Sequence, residues 1–323
     1  MLKLSTLVIA ISLAHPANAA ANKNFNRISS FPVCTQIHPN CDTDTETAAE
    51  IVAAGPFGYK LIYTDSPENA VGFIDIRDPE NPRAAGTIPL KGEPTSVAMK
   101  GFLALVGVNT SEDFVNVSGH LAVINHLTQK VIHTIDLGGQ PDSVAVSPDK
   151  RYAAVVIENE RDEDLGNGEP PQLPPGKLVI VDISKFNPKK WKTREVDLTG
   201  LKALFPGDPE PEYVDINDDN IAVVTLQENN HIVLVDLKHG EIINDFPAGA
   251  VDLANIDATE EDPAIIDQTE SLPAVPREPD GVAWINNEYF VTADEGDLFG
   301  GSRSFTIFNK QGDIVYNSGA DLD

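Results

Sequence analysis

Apolar residues in this chain fall in short runs bounded by Asn, Asp, Gly and Pro, a pattern of strands joined by tight turns rather than of helices. The stretch Pro211–Phe246 shows it most clearly. Glu212–Ile216, Ile221–Gln227, His231–Leu237 and Glu241–Phe246 read as four strands, with turns at Asn217–Asn220 and at Lys238-His239-Gly240. A four-stranded antiparallel unit of this size cannot bury its faces alone and needs neighbours like itself.

The unit recurs. An acidic or amide residue, a proline, a polar residue and a buried strand follow one another in GEPTSVAM (Gly92–Met99), GQPDSVAV (Gly139–Val146), PEPEYVDI (Pro209–Ile216) and REPDGVAW (Arg277–Trp284). A second motif, apolar residues ending in Asp or Asn, recurs as VGFIDI, HLAVIN, KLVIVD, HIVLVD and SFTIFN. The anchor prolines Pro94, Pro141, Pro211 and Pro279 are spaced by 47, 70 and 68 residues. A four-stranded unit of about 40–50 residues is the blade of a β-propeller, and the longer spacings are loop insertions. The expected fold is all-β, with five blades at roughly 49–90, 91–138, 139–200, 201–246 and 276–319. No strand that would close the ring is visible, so the expectation is an incomplete propeller, with a five-bladed ring as the alternative.

Blade geometry sorts the loops. The connection between blades and the loop between the second and third strands emerge on one face; the remaining turns lie opposite. All the large insertions (Asn109–Gly119, Glu158–Gly176, Gly200–Asp208, Pro247–Pro276 and Asp294–Arg303) belong to the first face. Long loops on one face of a rigid scaffold are where function concentrates. The acids follow them. Glu93, Asp142, Glu210, Glu212, Glu278 and Asp280 stand at the entrances of innermost strands, and Glu158, Glu160, Glu228, Asp294, Glu295 and Asp297 stand beyond second strands. On a propeller these sets converge around one mouth of the central channel, where adjacent carboxylates cannot all ionise without cost. Hard cations relieve that cost, and an oxygen-only donor set favours calcium or magnesium over zinc.

Two motifs are tighter than the rest. Gln227-Glu228-Asn229-Asn230 sets four oxygen-bearing side chains in a row, and Asp294-Glu295-Gly296-Asp297 places three carboxylates around a glycine able to adopt positive φ. The loop ENERDEDLGNGE (Glu158–Glu169) loosely resembles a calcium loop but departs from the EF-hand register.

Met1–Ala19 carries a positive start, an apolar run and a small-x-small site, and so reads as a signal peptide. No stretch is long and apolar enough to span a membrane, and the expected location is secreted or periplasmic. In an oxidising compartment the two cysteines, Cys34 and Cys41, pair and close a small loop in a lead-in spanning 20–48, ahead of a propeller domain at 49–323. Net charge is −27, with 50 Asp and Glu against 23 Lys and Arg, which argues against nucleic acid and against anionic lipid, whose phosphates would be repelled. There is no G-x-S-x-G elbow, H-E-x-x-H, C-x-x-C, P-loop or G-x-G-x-x-G.

The strings PEPEYVDI, VTLQENNHIVLVDL, REPDGVAW and VTADEGD resemble exported bacterial propellers variously described as phytase-like (esterase-like activity of phytase), alkaline-phosphatase-like or choice-of-anchor I, over about residues 49–319. The resemblance implies a secreted propeller with a phosphoester-hydrolase or calcium-dependent role. In that reading Glu228 and Asp294 are catalytic, Arg277 and Arg303 clamp a small phosphorylated substrate, and calcium is held among Glu210, Glu212, Gln227, Asn229, Glu278, Asp280, Glu295 and Asp297. The alternative is a non-catalytic, calcium-stabilised module that uses the same face for a ligand or protein.

Overall fold

The computed structural model describes residues 26–38, 40–41, 45–259 and 261–319. Five four-stranded antiparallel sheets follow one another along the chain, each with its strands hydrogen-bonded in sequence order. Blade 1 comprises β1 (Val52–Ala54), β2 (Lys60–Asp65), β3 (Ala70–Asp75) and β4 (Arg83–Pro89); blade 2 comprises β5 (Glu93–Lys100), β6 (Leu103–Asn109), β7 (Gly119–Asn125) and β8 (Lys130–Asp136). Blade 3 holds β9 (Pro141–Val146), β10 (Tyr152–Ile157), β11 (Lys177–Asp182) and β12 (Lys192–Asp197), and blade 4 holds β13 (Pro211–Ile216), β14 (Ile221–Leu226), β15 (His231–Asp236) and β16 (Glu241–Pro247). A two-stranded ribbon, β17 (Ala250–Ile256) with β18 (Glu270–Pro276), precedes blade 5, formed by β19 (Pro279–Trp284), β20 (Tyr289–Asp294), β21 (Phe305–Asn309) and β22 (Ile314–Asn317). This is the β-propeller expected from the repeat.

The ribbon is a difference from the sequence reading, which treats Pro247–Pro276 as a loop. Leu253, Ile256 and Val275 bury against one another and give the insertion a small core of its own, so its backbone pairs with itself.

Stacking of blades explains why the second and third strands are apolar throughout instead of alternating. Side chains on β14 alternate between two cores. Ala222, Val224 and Leu226 pack with Ala154, Val156 and Ile180 of blade 3, whereas Val223 packs with Phe290 and Phe308 of blade 5. On β10 the alternation repeats, with Ala153, Val155 and Ile157 turned toward Leu105, Leu121 and Val123 of blade 2. Blades 1 and 2 share a further core that includes Phe73, Val97 and Val106. The cores therefore join 1–2, 2–3, 3–4 and 4–5; among the described residues none joins blade 5 to blade 1.

Polar stitches near the axis supplement the cores. Thr95 Oγ1 donates to the Pro141 carbonyl at 2.8 Å, and the Val144 N–H donates to Ser96 Oγ at 3.0 Å. Between blades 4 and 5, Thr225 Oγ1 donates to the Asp280 carbonyl at 2.6 Å and accepts from the Tyr213 N–H at 3.1 Å. Thr225 is fully buried. Thr225→Val keeps the shape but orphans both groups, and is expected to cost about 1–3 kcal/mol in chemical denaturation; an unchanged midpoint would mean that the stitch adds nothing.

Candidate functional site

The anchor prolines do structural work that positions the acids. Pro141 pairs with Ile157, Pro211 with Leu226 and Pro279 with Asp294, and directly after each proline the register shifts. Two residues on the innermost strand, Asp142-Ser143, Glu212-Tyr213 or Asp280-Gly281, then oppose one residue on the next strand. Such bulges re-aim side chains. Here they turn the residue after the proline into the channel.

The residue just beyond the second strand faces the same space. Glu158, Gln227 and Glu295 are equivalent positions, each donating its N–H to the carbonyl of the residue before the anchor proline: Gln140 at 3.1 Å, Glu210 at 3.2 Å and Glu278 at 3.2 Å. The result is a cavity of about 300 Å³ lined by Ile51, Thr95, Asp142, Glu212, Asp280 and Glu295, among others, so that all five blades contribute. Its charge is lopsided. Blades 3 to 5 present carboxylates at the bulge, whereas blade 2 presents Thr95 and blade 1 presents Ile51.

Asp142, Glu158 and Glu212 form the tightest group: one carboxylate oxygen from each lies within 4.8 Å of the others. Burial first, then repulsion from neighbouring carboxylates (Asp280 and Glu160 for Asp142; Asp142 and Glu228 for Glu158; Glu158 and Asp142 for Glu212), raises the proton affinity of all three. Asp142 is pushed up to about 7, and Glu158 and Glu212 lie well above the usual carboxylate range. Asp280 is also pushed up to about 7, by burial and then by its neighbour Glu295. Beside this group, Glu210 is fully buried and neither oxygen meets an N–H or hydroxyl donor; burial first, then Asp208, Glu228 and Glu158, push it up to about 11, and the proton it then holds is shared with the Asp208 carboxylate. Asp208 Oδ1 and Glu228 Oε2 are likewise buried without such a donor. These oxygens lack the donors that buried carboxylates normally find.

A cation already stands at the edge of the cluster. Arg161, 7% exposed, comes from the Glu158–Gly176 loop. It pairs through Nη1 with Glu228 Oε1 of blade 4, through Nη2 with Asp297 Oδ2 of blade 5 at 2.6 Å, and donates through Nε to the Gly168 carbonyl at 3.0 Å. Burial raises the Glu228 carboxyl; even against the opposing pull of Arg161 it reaches about 7.

The structure sorts the residues predicted for the site. Glu212, Gln227, Asp280 and Glu295 line the cavity. Asn229 and Asn230 fasten backbone instead: Asn229 Oδ1 accepts from the Glu210 N–H at 2.8 Å and Asn230 Oδ1 from the Glu278 N–H at 3.1 Å. Asn159 accepts from Gln140 in the same way in blade 3, at 2.9 Å. Glu278 uses its oxygens to accept the N–H groups of Asp297 and Phe299, both at 2.8 Å, which shapes the Asp294–Arg303 loop. Gly296, at φ 73°, lies so close to Gly301 that a Cβ would meet its backbone at 2.5 Å.

Asp294 accepts from the hydroxyls of Thr292, Ser304 and Thr306 at 2.7–2.8 Å. Arg277 is buried between blade 5 and the Ala248–Ala250 segment. It donates to Thr306 Oγ1 at 3.0 Å and to the carbonyls of Ala248 and Ala250 at 2.9 Å, and stands 4.0 Å from Asp294. Arg303 is exposed in the β20–β21 loop. Asp142 and Glu158 stand among the mouth acids in the sequence reading without being assigned as ligands, and Arg161 and Asp208 go unremarked there. A lone arginine inside ENERDEDLGNGE was the available signal for Arg161.

The Cys34–Cys41 disulfide is present, with Cα atoms 5.0 Å apart. Met1–Ala19 lies outside the described residues, and among the described residues no helix is long and apolar enough to cross a membrane.

Fold and site together define a β-propeller whose axial mouth is lined on one side by carboxylates. Residues 50–300 match the family model described as the Choice-of-anchor I domain, and the chain belongs to that family. The family and the disulfide point to a protein outside the cytoplasm. Among solved structures, hydrazine synthase from Kuenenia stuttgartiensis is similar at 14% identity and TM-score 0.53, over 81% of this chain and 71% of that one. Virginiamycin B lyase from Staphylococcus aureus is similar at 10% identity and TM-score 0.53, over 87% and 72%. These likenesses concern the fold alone. No curated protein matches the sequence.

Proposed function

We propose that the chain is a non-catalytic surface module of the Choice-of-anchor I family that holds a hard divalent cation, of the calcium class, at the carboxylate mouth of its channel. Asp142, Glu158 and Glu212 are the ligands, with Gln227 and the Asp280–Glu295 pair completing an oxygen shell. The observation that carries this reading is the convergence of those three carboxylate oxygens within 4.8 Å beside fully buried Glu210, which no N–H or hydroxyl donor reaches. Oxygen ligands in that number suit calcium. When bound, the cation would neutralise the cluster and tie blade 3 to blade 4 at the axis, fixing the insertion loops that form the outer face.

A phosphoester hydrolase with the same cation is the second reading, and the family resemblance favours it. It requires a clamp for phosphate. Arg277 is committed to Thr306 of blade 5 and to the Ala248 and Ala250 carbonyls where the chain leaves blade 4 for the ribbon, and the Asp294 carboxylate is saturated by hydroxyls. The non-catalytic reading therefore fits the side chains better.

Calorimetric titration of the mature, chelator-treated protein with calcium tests the proposal. Saturable binding is expected, reduced at least tenfold in Asp142→Asn and in Glu212→Gln. Wild-type protein that is folded yet takes up no calcium would exclude the site. Phosphate release from a generic phosphomonoester that requires calcium and collapses in Glu212→Gln would favour the hydrolase.

A further inference from the structure

The opposite face of the propeller carries a different chemistry. Phe186 is 100% exposed at the tip of the β11–β12 loop, SKFNPKKWK (Ser184–Lys192), among exposed Lys185, Lys189, Lys190 and Lys192. The loop is held firmly. Trp191 Nε1 donates to the Lys185 carbonyl at 2.7 Å, Asn187 Oδ1 accepts the Lys189 N–H at 3.1 Å, and the Ser184 N–H donates to Asp182 at 3.0 Å. A buried tryptophan thus fixes the loop and leaves the phenylalanine outside.

Phe186 is not an isolated apolar residue. With Phe102, Leu127, Ile132 and Pro188 it lines a groove of about 700 Å³, and Phe102 continues through Phe57 to Tyr59 with ring centroids 6.1 and 5.9 Å apart. Lys100 lines the same groove, and Lys130 begins β8 close by. Acids also lie on this face: Asp182, Asp149 beside Arg151 and Asn220, and, in the β3–β4 turn of blade 1, Asp75 paired with Arg77 together with exposed Asp78 and Glu80.

We propose that this face of blades 1 to 3 docks on an anionic lipid surface, with Phe186 entering the interface and the surrounding lysines meeting the headgroups. An apolar tip ringed by lysines is the arrangement that interfacial anchoring requires, and lysines close to an anionic surface are each attracted to it. The net charge of −27 does not oppose this, because the carboxylate mouth lies at the other end of the strands. A strand of six residues spans about 20 Å, and charges that far away are screened at a Debye length of about 8 Å. Docking in this orientation turns the cation site outward. The lipid proposal does not depend on the cation being bound.

The test is co-sedimentation of the mature protein with vesicles of phosphatidylglycerol and phosphatidylcholine, against phosphatidylcholine alone, at low and high salt. Binding is expected only to the anionic vesicles, and is expected to fall at high salt. Phe186→Ser, a fully exposed position that leaves the fold intact, should weaken it about tenfold, and Lys189→Glu with Lys190→Glu should weaken it at least as much. Three outcomes would overturn the proposal: no preference for anionic vesicles by folded protein at low salt; binding unchanged in both variants; or a solution dimer, seen by sedimentation velocity and dissociated by Phe186→Ser, that covers the patch. Capture by soluble polyglutamate without vesicle binding would also overturn it, and would point to an acidic macromolecule.

Discussion

In the presence of a chelator the folded chain should lose stability as the pH rises from about 5 to about 8. The groups responsible are Asp142, Asp280 and Glu228, raised to about 7, together with Glu158 and Glu212, raised well above the usual range, and Glu210, raised to about 11. Their first cause is burial. A carboxyl whose folded value exceeds its unfolded value holds its proton more tightly in the native state. Its contribution is complete below the unfolded value near 4, and is lost as the pH climbs through the folded value. Carboxylates held low, such as Asp75 beside Arg77, act with the opposite sign but only near and below the ordinary range, whereas His120 and His126, lowered by burial, act with the opposite sign inside the window and offset part of the slope. The raised groups interact, so their effects do not sum; a total on the order of a few kcal/mol is expected, or about 5–10 °C in melting temperature. Calcium should take the place of the missing protons and flatten the slope. Glu210→Gln, which replaces a neutral acid by a neutral amide, should raise the chelated protein's melting temperature at pH 8 and leave it nearly unchanged at pH 5. A melting temperature that is flat or rising between pH 5 and 8 in chelator would show that the cluster is not protonated when folded.

Arg161→Met is expected to destabilise the protein by about 3–5 kcal/mol, because it leaves Glu228 buried and deprives Asp297 of its partner while removing only one cation. The loss should grow with pH as Glu228 ionises. Combining it with Glu228→Gln should recover more than half, since the uncompensated buried charge is then gone. A double-mutant cycle in urea measures this coupling, and simple additivity would mean that the pair is only a surface contact. The geometry gives Arg161 a second consequence. It ties the Glu158–Gly176 loop of blade 3 to blades 4 and 5 across the mouth, so Arg161→Met should speed amide exchange in that loop even where the blades stay protected.

The strand pattern and its repeat were legible because a propeller is built locally. Each blade is a meander whose turns carry Asn, Asp and Gly, and the inner strands of blades 2 to 5 open at a proline, Pro94, Pro141, Pro211 or Pro279. The ribbon at Ala250–Pro276 was not legible, because its core is only Leu253, Ile256 and Val275, packed against one another rather than against a blade. For the site, the acids on the right face could be read from blade geometry, but not which of them meet. Sequence neighbours with the same chemistry part company. In Gln227-Glu228-Asn229-Asn230 the first residue faces the cavity, the second pairs with Arg161 and the last two tie down backbone.

The sequence by itself determined the antiparallel strands, the blade period, the disulfide partners and the face on which the carboxylates gather, since these follow from side-chain alternation, turn residues and spacing. Only the tertiary structure decided that Asp142, Glu158 and Glu212 converge, that Arg161 reaches Glu228 and Asp297, and that Arg277 is buried between blade 5 and the Ala248–Ala250 segment. Those contacts depend on the bulges after the anchor prolines and on the rotation of one blade against the next. Both are set by packing between residues up to 136 positions apart along the chain, which local pattern does not encode.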